Sequence, residues 1–214
     1  MRYPNSSELY PKDPYRHYFS DKHYFDLTEE GKKGSYALGS FLRKRYGELI
    51  GDKYNNKIVH TSSTLTNRTI MTAQLVLAGL FQDPLKKMLS EYFDWDSLSY
   101  QIKKGPLNID PYQHPPQCMA YTSEYLRLLN SSDYDIIMKK YANFFKYVNT
   151  NAGITIKDFK DVNNIYQMLL IEHTMNFTLP EWAQKIYPDK IEEVASQLLT
   201  VSNYNPTLRR LNGG

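Results

Sequence analysis

Cysteine is nearly absent from this 214-residue chain: Cys118 is the single one. One thiol excludes an internal disulfide, and it leaves two readings open, a reducing compartment or a chain without its partner cysteine. Long apolar runs are missing too. No stretch approaches the roughly 20 residues a membrane-spanning helix needs, and the mean hydropathy of −0.59 agrees. The first residues, Met1-Arg2-Tyr3-Pro4-Asn5, hold no apolar segment of the kind a secretory leader carries. Charge of one sign is scarce, with 26 Lys and Arg against 23 Asp and Glu and a formal net charge of +3. So mild a balance leaves no polyanion-binding footprint, and nucleic-acid binding is not expected. Gly at 10 and Pro at 11 exclude collagen-like or low-complexity architecture. There is no His-Glu-x-x-His helix or Cys/His cluster, no Gly-rich loop before a Lys-Ser or Lys-Thr pair, and no Gly-x-Ser-x-Gly elbow. The expectation is therefore no metal and no cofactor. No internal repeat or domain linker is visible.

Tyrosine, by contrast, is plentiful, with 19 against 9 Phe and 2 Trp. Its ring is apolar with a polar tip, which suits half-buried surfaces and interfaces. At 41% hydrophobic and 23% charged, the composition is that of an ordinary globular domain, long enough for a sizeable core. Tyr10, Tyr15, Tyr18 and Tyr24 lie in a segment, 3–26, where Pro4, Pro11 and Pro14 interrupt any helix. Thr28 then caps a surface helix over 29–50, with Glu29 and Glu30 favouring its start. Leu38, Phe41, Leu42 and Leu49 form its apolar face. Lys57-Ile58-Val59-His60-Thr61 reads as a short buried strand. Residues 94–119, with Pro106, Pro111, Pro115 and Pro116, predict an irregular excursion. Helical spacing resumes at Ile137, Tyr141, Phe144, Phe145 and Val148, and again from Phe159 through Val162, Tyr166, Leu169 and Leu170. A last helical stretch after Pro180 carries Ile191, Val194, Leu198 and Val201. The chain from about 85 to 180 is thus expected to be helical, and the one clear strand precedes it.

The strand runs through a polar turn, Ser62-Ser63-Thr64-Leu65-Thr66-Asn67-Arg68-Thr69, into a helix ending at Phe81. Ile70, Ala73, Leu77, Leu80 and Phe81 line one face of that helix and Met71, Leu75 and Ala78 another, so it is expected to be buried. A strand entering a helix this way aims backbone N–H groups at one spot, where the helix dipole adds positive potential. Arg68 stands at the helix start, against that dipole. One reading is an oxyanion such as phosphate, gripped by the guanidinium and capped by the helix. The other is a solvated surface Arg beside a plain N-cap, Thr66 or Asn67.

Further motifs follow one another along the chain. They are Tyr10-Pro11-Lys12-Asp13-Pro14-Tyr15, Leu27-Thr28-Glu29-Glu30-Gly31 and Leu38-Gly39-Ser40-Phe41-Leu42-Arg43-Lys44-Arg45-Tyr46. After these come Ser63-Thr64-Leu65-Thr66-Asn67-Arg68-Thr69, Leu77 to Phe81, Asn176-Phe177-Thr178-Leu179-Pro180-Glu181-Trp182 and Arg210-Leu211-Asn212-Gly213-Gly214. In this order, over essentially the whole chain, they resemble the histidine acid phosphatases, the branch with the prostatic, lysosomal and insect-venom enzymes.

The resemblance implies an α/β fold: a partial doubly wound, phosphoglycerate mutase-like core with an inserted helical cap, mostly helical in this chain. Residues 1–84 would be core, 85–180 cap and 181–214 a return to core. It implies hydrolysis of phosphate monoesters through a phosphohistidine. The His of an opening Arg-His-Gly-x-Arg-x-Pro attacks phosphorus, arginines bind the equatorial oxygens, and the Asp of a C-terminal His-Asp pair protonates the leaving alcohol. Met1-Arg2-Tyr3-Pro4 matches the tail of that opening motif. Arg2 and Arg68 are therefore carried over as phosphate ligands. The nucleophilic His and the acid Asp have no counterpart, so no catalytic residue is assigned and the chain alone is expected to be inactive. It begins after Arg-His-Gly and stops on Gly213-Gly214, which predicts a sequence incomplete at both ends. Two readings follow: part of a longer phosphatase, or a non-catalytic paralogue or remnant that binds an anion or a protein partner.

The resemblance also matches Cys118 to a family cysteine whose partner lies further along the fold, while Ile171, beside Glu172, stands where the family has another cysteine. Leu65 and Asn67 replace family aspartates, which should make the pocket more positive. Of the five histidines, His60 is nearest to Arg68 in sequence, but strand alternation points it away from the turn; His17, His23, His114 and His173 are further off. The implied ligand is a phosphate monoester or inorganic phosphate. The implied location is secreted or lysosomal, and the full-length family implies a homodimer. Sequons begin at Asn5, Asn67, Asn130 and Asn176, of which Asn130 and Asn176 are the better glycan positions.

Overall fold

The computed structural model describes residues 1–6, 8–20, 26–64, 66–81, 102–105 and 118–212. In chain order the elements are α1 (Arg16–Ser20), α2 (Glu29–Ile50), β1 (Thr61–Thr64), α3 (Asn67–Phe81) and β2 (Ile102–Gly105). Then follow α4 (Met119–Leu129), α5 (Ser132–Lys140), α6 (Ala142–Ala152), α7 (Phe159–Thr174), α8 (Glu181–Gln184), α9 (Asp189–Ala195), α10 (Gln197–Ser202) and α11 (Pro206–Leu211). They belong to two compact units. One is Met1–Arg2 with Phe25–Gln113, and the other is Tyr3–Tyr24 with His114–Gly214. Among the described residues no helix is long and apolar enough to cross a membrane.

In the first unit the cap chemistry sets α2. The Thr28 hydroxyl accepts the Gly31 N–H at 3.0 Å, and Glu29 and Glu30 occupy the first turn, where the helix dipole favours them. The helix ends at Gly51, whose φ of 72° suits a residue without Cβ. Its bounds are those the sequence predicts, but its buried face is not. Leu38, Phe41 and Leu49 are 50%, 56% and 78% exposed. The buried positions are Gly31 and Gly39. The reason is a backbone-to-backbone crossing with α3. A Cβ on Gly39 would stand 2.0 Å from the Val76 carbonyl oxygen, and one on Gly79 would stand 2.1 Å from that of Tyr36. Helices that meet through glycine come too close for side chains, so the leucine stripe is turned elsewhere.

The predicted strand over Lys57–Thr61 is displaced to Thr61–Thr64. Asn55 causes the shift. Its side chain accepts the Lys57 N–H at 2.9 Å, and its carbonyl accepts those of Ile58 and Val59 at 3.0 and 2.9 Å. Donors used in a turn cannot join a ladder. Ile58 is accordingly 55% exposed. A second strand, β2, also departs from the expectation of a helical chain beyond residue 85. It pairs in parallel with β1 in the register Thr61↔Ile102 to Thr64↔Gly105. The rest of the predicted proline-rich excursion lies outside the described residues, apart from Cys118 and the first residue of α4, Met119. In α3 Leu75, Leu77, Ala78, Gly79 and Leu80 are buried, as a helix apolar on two faces requires.

The second unit is helical throughout its regular elements, and α7 is its centre. Asp158 caps it through the N–H groups of Lys160 and Asp161. Phe159, Val162, Ile165, Met168, Leu169 and Ile171 are buried along it. Tyr134, Tyr141 and Phe145 pack on Phe159, with ring centroids 6.4, 5.8 and 5.8 Å away. Helices α9 and α10 pack on α7, and α11 packs on α4. Asn205 makes the last contact specific. It accepts the Leu208 N–H at 2.8 Å and donates to Glu124 at 2.7 Å. Arg127 grips the same carboxylate with two bonds, which together with Asn205 hold Glu124 down to about 2.

Candidate functional site

The strand–turn–helix around Arg68 is tied by hydroxyls. Thr69 Oγ1 lies 2.9 Å from Thr64 Oγ1 and 2.8 Å from Thr66 Oγ1. It donates within reach of the Thr64 and Thr66 carbonyls, at 3.0 and 2.9 Å. The turn between β1 and α3 is thereby closed on itself, and the first turn of α3 is pinned to the end of β1. Thr66 also receives the Thr69 and Ile70 N–H groups, both at 3.1 Å. The Arg68 carbonyl accepts the Thr72 hydroxyl at 2.8 Å. Arg68 itself is half-buried in the first turn of α3, and Asn67 beside it is exposed. A cation at a positive helix end is electrostatically unfavourable, and an anion placed there would offset both charges.

Arg2 belongs to the same compact unit. It forms an antiparallel bridge with Leu27, and the Thr28 N–H donates to the Met1 carbonyl at 3.3 Å. Gly31 is the counterpart: a Cβ there would lie 1.9 Å from the Met1 carbonyl oxygen. The backbone at Met1–Arg2 is thus pressed onto the start of α2, with the Arg2 residue half-buried. The two predicted phosphate ligands sit at the starts of α2 and α3, helices that pack along each other.

The histidines are placed differently from the arginines. His60 precedes β1 and is exposed, rather than lying within a strand. His17 is exposed on α1 and His173 on α7, where its ring meets Tyr187 at 5.1 Å. His23 and His114 lie outside the described residues. Among the described residues no group of three or more His, Cys, Asp or Glu could hold a metal ion. Cys118 is a half-buried free thiol whose sulfur caps α4 at the Tyr121 N–H.

Sequence reasoning missed a second polar centre, in the other compact unit. The Tyr10–Tyr15 motif packs with the Asn176–Trp182 motif. Tyr15 stacks on Phe177 at 4.5 Å and donates its hydroxyl to the Thr178 carbonyl at 2.7 Å. Tyr10 meets Trp182 edge-on at 5.9 Å. Beneath them Asp13 and Glu172 face each other, with 7% and 0% exposure. Burial first, then the charge of Asp13, then a hydrogen bond to it push Glu172 up to about 8. Burial likewise raises Asp13, opposed by the Tyr15 N–H, by the bond from Glu172 and by the Arg16 charge. Burial and the two carboxyl groups also push the Tyr10 phenol up. The sequence held one signal for this: Val162, Ile165, Leu169 and Glu172 share one helical stripe, and a carboxylate on an apolar stripe is a buried carboxylate.

Comparison with known proteins agrees with the motif order. The family model of the histidine phosphatase superfamily (branch 2) matches residues 10–187. The chain belongs to that superfamily, in its histidine acid phosphatase family. A venom acid phosphatase of Apis mellifera is 33% identical over 211 residues, covering 97% of this chain and 54% of the relative. The prostatic acid phosphatase of Homo sapiens is 27% identical over 217 residues, covering 97% and 55%. The lysosomal acid phosphatase of Homo sapiens is 29% identical over 178 residues, covering 82% and 42%. The chain spans about half the length of these relatives.

Proposed function

We propose that this chain supplies the phosphate-binding part of an enzyme that hydrolyses phosphate monoesters, with Arg68 and Arg2 holding the phosphoryl oxygens. The carrying observation is Arg68, half-buried in the first turn of a helix that a strand enters through a hydroxyl-tied turn. A planar guanidinium can grip two phosphoryl oxygens while the dipole of α3 adds positive potential at the same charge. In phosphoryl transfer such contacts stabilise the charge that spreads over the equatorial oxygens. The names of the relatives, acid phosphatases of venom, prostate and lysosome, support the substrate class.

The same reading includes a doubly wound core to which β1 contributes, its parallel partner β2 coming from the range read as cap. It assigns residues 1–84 and 181–214 to that core and 85–180 to its cap, a division taken from the family order and distinct from the compact units. A secreted or lysosomal location and a homodimer belong to the reading as well. No Arg-His-Gly run occurs in these 214 residues. The chain by itself is therefore expected to bind phosphate without turning over a monoester.

Titration with inorganic phosphate, followed by calorimetry or phosphorus NMR, tests the proposal. The wild-type chain should bind, Arg68→Ala should weaken binding at least about tenfold, and Arg68→Lys should recover part of it. Binding indifferent to Arg68→Ala would remove the site. Turnover of a chromogenic phosphate monoester that Arg68→Ala abolishes would replace the non-catalytic expectation with a substitute nucleophile.

A further inference from the structure

The Asp13–Glu172 centre has no part in the phosphate reading. Four buried side-chain oxygens belong to it, Tyr10 Oη, Asp13 Oδ2 and both Glu172 carboxyl oxygens, and none has a hydrogen-bond partner if both carboxyls are counted as acceptors only. Facing carboxylate oxygens that lack donors are among the most costly arrangements in a protein interior. A single proton resolves it. Protonated Glu172 donates to Asp13, and Asp13 stays ionised because its other oxygen accepts the Tyr15 N–H at 2.6 Å and the Arg16 charge favours it.

We propose that Asp13 and Glu172 form a one-proton latch. With the shared proton in place the Tyr10–Tyr15 segment is held on α7, and loss of the proton releases the segment. This does not depend on phosphate binding at Arg68.

Among the described residues the groups acting on the pair are few. Tyr10 and Tyr15 come from the segment itself, and Arg16 from the start of α1. Lys12 is directed to the Thr150 carbonyl on α6, at 2.8 Å. On α9, Glu192 acts on Tyr166 and Tyr187 rather than on the pair. His173, next along α7, is exposed against Tyr187. The direction of the switch follows from linkage. Glu172 stands at about 8 in the fold against 4.5 for a free glutamate. Between those limits the folded chain keeps a proton that the unfolded chain has lost, so rising pH weakens the fold. The stabilisation from the Glu172 proton is complete once the pH is below the ordinary glutamate range. It is lost as the pH rises through the folded value.

Hydrogen exchange of the full chain, read on peptides covering 8–20 and 165–175 and corrected for intrinsic rates, tests the latch. Protection in the wild type should fall by up to about tenfold per pH unit from about pH 5 to about pH 8. In Glu172→Gln, whose amide donates to Asp13 as the protonated carboxyl does, protection should stay level. A wild type without pH dependence, or the same fall in Glu172→Gln, would overturn the proposal. Should that variant fail to fold, infrared titration of the wild type decides. A buried protonated-carboxyl band that persists at about pH 6 and disappears by about pH 9 supports the latch, and its absence refutes it.

Discussion

Replacing Gly39 by Ala sets two effects of opposite sign against each other. In an exposed helix the change removes backbone entropy from the unfolded chain and stabilises by about 1 kcal/mol. At Gly39 the added Cβ would stand 2.0 Å from the Val76 carbonyl oxygen and 2.8 Å from the Leu80 nitrogen, both backbone atoms. Ordinary contact begins near 3.4 Å, so α2 and α3 must part by about 1.4 Å. A gap of half to one ångström already forfeits a quarter to a half of the dispersion energy of each contact. Overpacking of this kind costs about 1–3 kcal/mol or more, which outweighs the propensity gain. Gly34, on the same helix, is the control, because a Cβ there would meet nothing within 4 Å. Urea unfolding followed by circular dichroism should therefore move in opposite directions, down for Gly39→Ala and up by as much as about 1 kcal/mol for Gly34→Ala. An equal rise in both would refute the backbone crossing as the determinant of how α2 lies on α3. Gly79→Ala should resemble Gly39→Ala, and the double variant should cost less than the sum, since one separation accommodates both methyl groups.

Other expectations are as direct. Asn205→Ala should lower the unfolding free energy measured in urea by about 1 kcal/mol, because it removes both the cap at Leu208 and the bond to Glu124. Asn205→Asp keeps the cap but sets a second carboxylate against Glu124, and should recover only part of the loss. Thr69→Val removes the hydroxyl that joins Thr64 and Thr66, so it should cost about 1–3 kcal/mol and weaken phosphate binding together with Arg68→Ala. The urea stability of the wild type should decline with rising pH by up to about 1.4 kcal/mol per unit between the free and folded values of Glu172, and a flat profile there would remove the shared proton.

Where side-chain chemistry is local, residues alone reveal the fold. Thr28 with Glu29 and Glu30 marks the start of α2, and the spacing from Phe159 to Leu170 marks α7. The turn holding Arg68 is equally readable, since a hydroxyl-rich link between strand and helix is a local feature. The buried face of α2 was not readable, because glycine packing carries no hydropathy signal. Leu38, Phe41 and Leu49 present the more conspicuous pattern and are exposed. The displacement of β1 depends on one Asn55 side chain taking backbone donors from an otherwise strand-like run. For β2, Ile-Lys-Lys-Gly is too short and too polar to announce a strand, and its partner lies far earlier in the chain. Glu172 signals its own burial from its stripe, but nothing local names Asp13 as its counterpart.

The bond from the Tyr15 hydroxyl to the Thr178 carbonyl joins positions 163 residues apart. During synthesis the early segment must wait for the late one. At about 5–20 residues per second the interval is on the order of ten to thirty seconds. Through that time Tyr10, Tyr15 and Phe19 stand outside the ribosome without Trp182 and Phe177, the rings they later meet. The second unit is therefore a late-closing structure whose earliest residues are among the last to settle, and its nascent form offers an aromatic segment to any holding chaperone near the exit tunnel.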